Sequence, residues 1–498
     1  MPRIVNKTFV RNNFAVVLLT CFSMILSACS TNPATGQRQF ASFMSPQQEN
    51  KVGAEEHQKV LKQFGGLVKD KALTDYVTKI GQKLAQDTER PDVQYKFFLL
   101  DSPEANAFAI PGGYIYITRG ILALANDEAE LAAVIGHEIG HITGRHSAER
   151  YSHGVVTSLG AAIIGAALDS PDVARAANIG KNLYLSSYSR SQENEADMLG
   201  VRYLHRAGYD PSAMNRFLKS LGAYSELEAK VAGQSGTQGL NYFSTHPLTQ
   251  ERVTNTNAEA RKYPANQMTV NKNDYMKKIM GLAWGSSSAQ GYERDGAFIH
   301  PEIGFKFNVP IFASIVNRPS EVVISPKDTT SQGVAVMDMA ASKLDVSPAA
   351  YIQSVWMEQE PLQIVEPITI NGLSAATAVF PGHLNGRAAQ IRLVAIQWAP
   401  KTFIRFQIAM PQGIAAAVEQ GYKDMAFSFQ RINKTDGGSG DTIGLVMAQQ
   451  GDSIQGLAKG QEKIFGKYYT EYFKVLNGLI APQQNIRVGE LYKVIRRN

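Results

Sequence analysis

Residues 131–141 read LAAVIGHEIGH, an apolar run broken only by glycines and by His137, Glu138 and His141. The pattern predicts a helix from Asp127 to about His146, with Asn126 as its cap. On a helix, positions i and i+4 share a face, so the two imidazoles can reach one point. Glu138 follows the first of them and can stand beside that point. Two imidazoles and a carboxylate are costly to bury unless something pairs with them. A metal ion is the natural partner. Zinc accepts nitrogen and oxygen ligands, keeps an open position in enzymes and lowers the pKa of its water to about 7.

A third protein ligand is needed. The pattern H-E-x-x-H-x-x-G-x-x-H finds its glycine in Gly144, but its last position is Ser147. His146 falls one residue short, and one residue is about 100° of helical rotation. A carboxylate from a later helix is the other scheme, as in the His₂Glu site of thermolysin. Residues 189–197, SRSQENEAD, supply it. Glu193 and Asp197 share a helical face, Glu193 to bind the metal and Asp197 to accept the free ring N–H of a ligand histidine. Glu195 points to another face and is expected in solvent.

Four motifs now stand together: NAFAIPGG at 106–113, HEIGH at 137–141, SRSQENEAD at 189–197 and STHP at 244–247. Jointly they resemble the HtpX and CAAX-prenyl-protease family of zinc metallopeptidases, and most closely its periplasmic lipoprotein branch of BepA-like and LoiP-like proteases. The resemblance covers residues 31–262. It implies a zinc metalloendopeptidase holding one zinc per chain on His137, His141 and Glu193, with Glu138 as catalytic base. It further implies misfolded or unassembled envelope proteins as substrates. An outer-membrane assembly or binding factor with latent protease activity is the alternative. Unlike the membrane-embedded members, this sequence has no run that reads as a transmembrane helix.

Ala107, Phe108, Ala109 and Ile110 could form a strand edge that holds substrate extended through backbone hydrogen bonds. His246 has two open roles. It could donate to the oxyanion of a tetrahedral intermediate, or fill the metal's open position in a resting state. Arg252 is a possible carboxylate or oxyanion partner. His146 is expected to make structural hydrogen bonds.

The chain has 498 residues, 44% of them hydrophobic, which suits a globular protein of two or three domains. The formal charge of +6 is half accounted for by Arg3, Lys7 and Arg11. With no basic block interleaved with aromatics, nucleic acid is not an expected partner. Those three cations precede an apolar core from Phe14 to Leu26, the pattern of an export signal. Its end, LSAC at 26–29, resembles the lipobox of bacterial lipoproteins, which implies a lipid on Cys29. Cys21 is the only other cysteine, so the mature chain would hold no disulfide. Ser30 leans the anchor toward the outer membrane, facing the periplasm.

The expected fold is multidomain. A signal peptide covers 1–28, and a mainly α-helical HEXXH metallopeptidase domain with a small β-sheet covers 29–265. A linker follows at 266–297, then a β-rich α+β domain of unknown role at 298–433. Residues 442–498 resemble a small βααβ LysM module, whose family binds N-acetylglucosamine polymers; peptidoglycan is the partner this implies. The Gly466–Tyr472 stretch is longer than that pattern.

Overall fold

A computed structural model describes residues 30–41, 43–167, 187–233, 241–264, 268–327, 332–359, 362 and 364–497. The signal peptide and Cys29 lie outside the described residues. The chain forms two compact units. One takes in residues up to 61 together with 66–282 and 443–495, and the other is built mainly from 283–442.

The first unit is helical around a three-stranded sheet. A short hairpin, β1 (Ser30–Thr31) and β2 (Arg38–Gln39), precedes α1 (Pro46–Gln63) and α2 (Lys71–Ala85). The sheet follows: β3 (Lys96–Leu100), β4 (Ala107–Ile110) and β5 (Tyr114–Thr118), in the order β3-β5-β4. β5 pairs parallel with β3 and antiparallel with β4. The short helix α3 (Arg119–Leu124) leads into α4 (Glu128–Thr143). The cap of α4 is Asp127, whose carboxylate accepts from Glu130 N at 2.8 Å, not Asn126 as the sequence suggested. Both are good capping types, and the neighbouring Asn126 instead donates to the Glu130 carboxylate. α4 is buried from Ala129 to Thr143 and packs against β4 and α6.

Then come α5 (His146–Ala167), α6 (Arg190–Arg206), α7 (Ala213–Val231), α8 (Asn241–Thr245), α9 (Gln250–Ala260) and α10 (Lys272–Ile279). α6 starts on a capping box. Ser189 accepts from Gln192 N, and the Gln192 side chain accepts from Ser189 N. Among the described residues no helix is long and apolar enough to cross a membrane.

The second unit is β-rich. One sheet is four-stranded, with β6 (Tyr292–Arg294), β7 (Ala297–His300), β8 (Phe305–Asn308) and β16 (Gln430–Arg431) in the order β16-β8-β7-β6, and a seven-stranded antiparallel one includes β9 (Ala313–Asn317), β10 (Glu321–Pro326), β11 (Val334–Ala341) and β12 (Glu366–Ile370). The long strands β13 (Leu373–Leu384), β14 (Arg387–Ala399) and β15 (Thr402–Pro411) lie side by side in the large sheet, whose order is β12-β13-β14-β15-β11-β10-β9. Alternation along β14 shows why both faces are covered. Val394 and Ile396 enter one core with Phe305 and Tyr422, while Leu393 and Ala395 enter another with Tyr351 and Phe403.

Residues 443–495 belong to the first unit. Between β17 (Thr442–Met447) and β18 (Leu491–Arg496) lie three short helices, Ile454–Ala458, Glu462–Phe465 and Tyr469–Leu476, rather than the two expected. The middle helix ends just before the stretch that is long for the LysM pattern, and its last residue, Phe465, stacks on Tyr472 at the far end of that stretch at 4.0 Å.

Candidate metal centre

Helix α4 delivers both imidazoles to one point, as its i, i+4 spacing requires. His137 Nε2 and His141 Nε2 are 3.0 Å apart. Glu193, from the first turn of α6, brings Oε1 within 3.5 Å of His141 Nε2 and Oε2 within 3.6 Å of His137 Nε2. His246, just beyond α8, adds Nδ1 at 3.3 Å from His137 Nε2 and 3.0 Å from Glu193 Oε1. All four side chains are buried. Donors 2.0–2.1 Å from a tetrahedral zinc would be about 3.3–3.4 Å from one another, so the set fits that ion. His246 therefore belongs to the cluster rather than to a surface loop.

The two ligand helices approach closely because small residues line their seam. A Cβ on Gly140 would lie 2.9 Å from the Ala196 carbonyl oxygen, a contact that would force the backbones apart. Without that proximity Glu193 could not span to the imidazoles.

Glu138 is fully buried, and neither carboxylate oxygen has a hydrogen-bond partner among the described residues. Its Oε1 lies 3.6 Å from His246 Nε2. Burial raises its carboxyl above the ordinary value. An orphaned carboxylate beside a ring of metal-type donors is what a group awaiting a water would look like.

Asp197 stands where the sequence puts it, accepting from His137 Nδ1 at 2.8 Å. Burial works to lower the His137 value, but that bond and the charges of Asp197 and Glu193 together raise it. Arg252 ties Glu193 and Asp197 of α6 together. It grips Asp197 through Nε and Nη2 at 2.7 and 2.8 Å and reaches Glu193 Oε2 through Nη1 at 2.7 Å. Burial opposes ionisation of Glu193, but His246 and Arg252 hold it well below the usual carboxylate range. Of the two partners the sequence allowed Arg252, the carboxylate is the one it meets.

Two aromatics had gone unread. Tyr188 stacks on His141 at 3.7 Å with Arg150 on the ring at 3.6 Å, and Tyr242 stacks on His246 at 4.5 Å. Tyr188 directly precedes the capping serine of α6, which was the available signal. Glu195 corrects an expectation. It is not left to solvent but accepts from Asn32 Nδ2 at 2.5 Å and faces His146 Nε2 at 3.4 Å. Its partner is a residue of the N-terminal hairpin, far away in sequence. Ala107, Phe108, Ala109 and Ile110 form β4, an edge of the small sheet, with their side chains buried.

Residues 71–260 match the profile of Peptidase family M48. The chain is 31% identical over 218 residues to the putative beta-barrel assembly-enhancing protease of Vibrio cholerae, covering 42% of this chain and 43% of that protein. It is 31% identical over 239 residues to the beta-barrel assembly-enhancing protease of Escherichia coli K12, covering 46% of each. It is 28% identical over 223 residues to the mitochondrial metalloendopeptidase OMA1 of Schizosaccharomyces pombe, covering 44% of this chain and 63% of that one. The chain thus spans about half the length of the first two relatives. The helical segment with its buried histidines and glutamates is thus similar to the metallopeptidases of family M48, and its donor set suits a zinc ion.

Proposed function

We propose that this chain is an endopeptidase of the bacterial envelope that cleaves misfolded or unassembled proteins. The observation that carries the reading is the convergence of His137, His141, Glu193 and His246 beside the orphaned carboxylate of Glu138. His137, His141 and Glu193 are the ligands of one zinc. When bound, zinc supplies a Lewis acid and brings a water's pKa to about 7. Glu138 takes the proton of the attacking water on its free carboxylate and passes it to the leaving amine. Asp197 holds the His137 hydrogen on Nδ1 and so leaves Nε2 to the metal. Arg252 offsets the two carboxylates on α6. An extended substrate laid along the β4 edge at Ala107–Ile110 would be held by backbone hydrogen bonds alone, since those side chains point into the fold.

The test is cleavage of casein or another unfolded protein by the mature chain, with and without a chelator. Cleavage that survives chelation refutes the reading. Glu138→Gln should keep zinc and lower the rate by about 10²–10⁴; activity within about twofold of wild type would remove the base role.

Substrates from outer-membrane assembly are suggested by the names of the bacterial relatives. Periplasmic localisation, a lipid on Cys29 and peptidoglycan binding by residues 442–498 complete the proposal. Loss of fatty-acid labelling in Cys29→Ser checks the anchor, and pull-down on purified peptidoglycan sacculi checks the last segment.

One observation favours the alternative of an assembly or binding factor whose peptidase is latent. His246 Nδ1 sits at the fourth corner of the donor set, where substrate would need to enter. His246→Ala should then raise basal cleavage. A fall of about 10²-fold would instead identify His246 as the oxyanion donor.

A further inference from the structure

The two ligand histidines are supported in different ways. His137 has Asp197. His141 turns Nε2 into the cluster and Nδ1 outward, 2.8 Å from Nδ1 of His146. The other nitrogen of His146, Nε2, lies 3.4 Å from Glu195 Oε1, and that same oxygen accepts from Asn32 Nδ2 at 2.5 Å. His146 and Asn32 are buried, at 1% and 3% exposure.

The hydrogens can be placed in one consistent way. A ligand binding through Nε2 keeps its hydrogen on Nδ1, so His141 donates to His146 Nδ1. His146 then carries its own hydrogen on Nε2, which faces the Glu195 carboxylate as a charge neighbour at 3.4 Å, without a hydrogen bond of ordinary geometry. The line ends on an acceptor that also takes the Asn32 amide. Asn32 is itself fixed. Its Oδ1 accepts from Ala34 N at 2.9 Å, and its backbone N–H donates to Gln37 O at 2.8 Å, within the β1–β2 hairpin.

Gly144 leaves the room for this line. Its φ of −72° is ordinary for any residue, so conformation does not explain the glycine. Space does: a Cβ there would lie 2.5 Å from His146 Nε2 and 3.0 Å from Glu195 Oε1.

We propose that His146, Glu195 and Asn32 are positioning residues for His141, fixing its tautomer and ring orientation, and that the N-terminal hairpin is thereby part of the metal centre's support. The inference rests on the reading of His141 as a ligand. Its test measures metal affinity by competition with a chromophoric chelator, and the visible absorption of the cobalt-substituted full chain. Partners behind a ligand histidine are typically worth about 10–100-fold in metal affinity. His146→Leu should weaken zinc by that order and shift the cobalt bands. Asn32→Ala, at the surface hairpin, should move both readouts the same way by a smaller factor. His146→Asn keeps an acceptor near the Nδ1 position and should restore much of the affinity lost in His146→Leu. Should His146→Leu fail to fold, Asn32→Ala and His146→Asn carry the test.

Wild-type affinity and unshifted cobalt bands in the His146 variants and Asn32→Ala, with metal lost in His141→Ala, would overturn the proposal. Metal retained at full affinity in His141→Ala would instead overturn the ligand reading beneath it.

Discussion

Arg252 is the residue on which the electrostatics of the site turn. Its guanidinium is buried, pairs with the carboxylate of Glu193 and hydrogen-bonds that of Asp197. Arg252→Met fits the space but leaves two buried carboxylates without their cation. Breaking a buried pair in this way costs about 3–5 kcal/mol. Denaturant unfolding of the metal-free protein should show a loss of that order; a loss below about 0.5 kcal/mol, the scale of a surface change, would deny the clamp. At this scale the sequence was readable wherever one helix carried the whole motif. His137, Glu138 and His141 follow from helical periodicity alone, and Glu193 with Asp197 from the same rule applied once more. The line through His146 and Glu195 was not readable, because its terminal partner Asn32 is 163 residues from Glu195. No local pattern announces a meeting of that kind.

At the scale of elements, the seam between α4 and α6 sets how near Glu193 comes to His137 and His141. Gly140→Ala places a methyl 2.9 Å from the Ala196 carbonyl oxygen, so the helices must part. Overpacking of this sort costs about 1–3 kcal/mol. Zinc affinity should fall along with stability, since Glu193 moves with α6; unchanged zinc affinity in a destabilised variant would separate the seam from the site. The sequence shows small residues on both helices but not which face meets which. Element types were legible. α4 begins at Glu128, one residue from the start expected at Asp127, because apolar helical runs and capping residues are local signals. The expected two-helix pattern near the C-terminus failed for a local reason as well. The Phe465–Tyr472 stack holds a turn that hydrophobic periodicity does not mark.

At the scale of the whole molecule, residues 443–495 pack with the peptidase segment, and one lysine shows how. Lys493 is fully buried, and its ammonium donates to the carbonyls of Ala123, Leu124 and Ala125 at 2.8, 3.0 and 2.8 Å. These are the final carbonyls of α3 and the residue after it, just before the capping Asp127 of α4. Tyr472 reinforces the contact by donating to Glu228 of α7 at 2.6 Å. Lys493→Met should leave buried acceptors unsatisfied, at about 1–3 kcal/mol for each group that water cannot reach. The melting temperature should fall, and peptidase activity should be lost at a lower temperature than in wild type. An unchanged melting temperature would mean that the ammonium adds nothing to the docking. A sequence reader naturally treats the last segment as separate, since its own strands and helices form a plausible small module. The contact that joins it to the peptidase segment closes 368 residues of chain.

That closure has a consequence in time. At about 5–20 residues per second, roughly 20–70 s separate the synthesis of Ala125 from that of Lys493. Until the lysine is made, the carbonyls at the end of α3 lack the ammonium that donates to them, at the entry to the helix that carries His137 and His141. The brace on that helix entry is therefore among the last contacts that the growing chain can make.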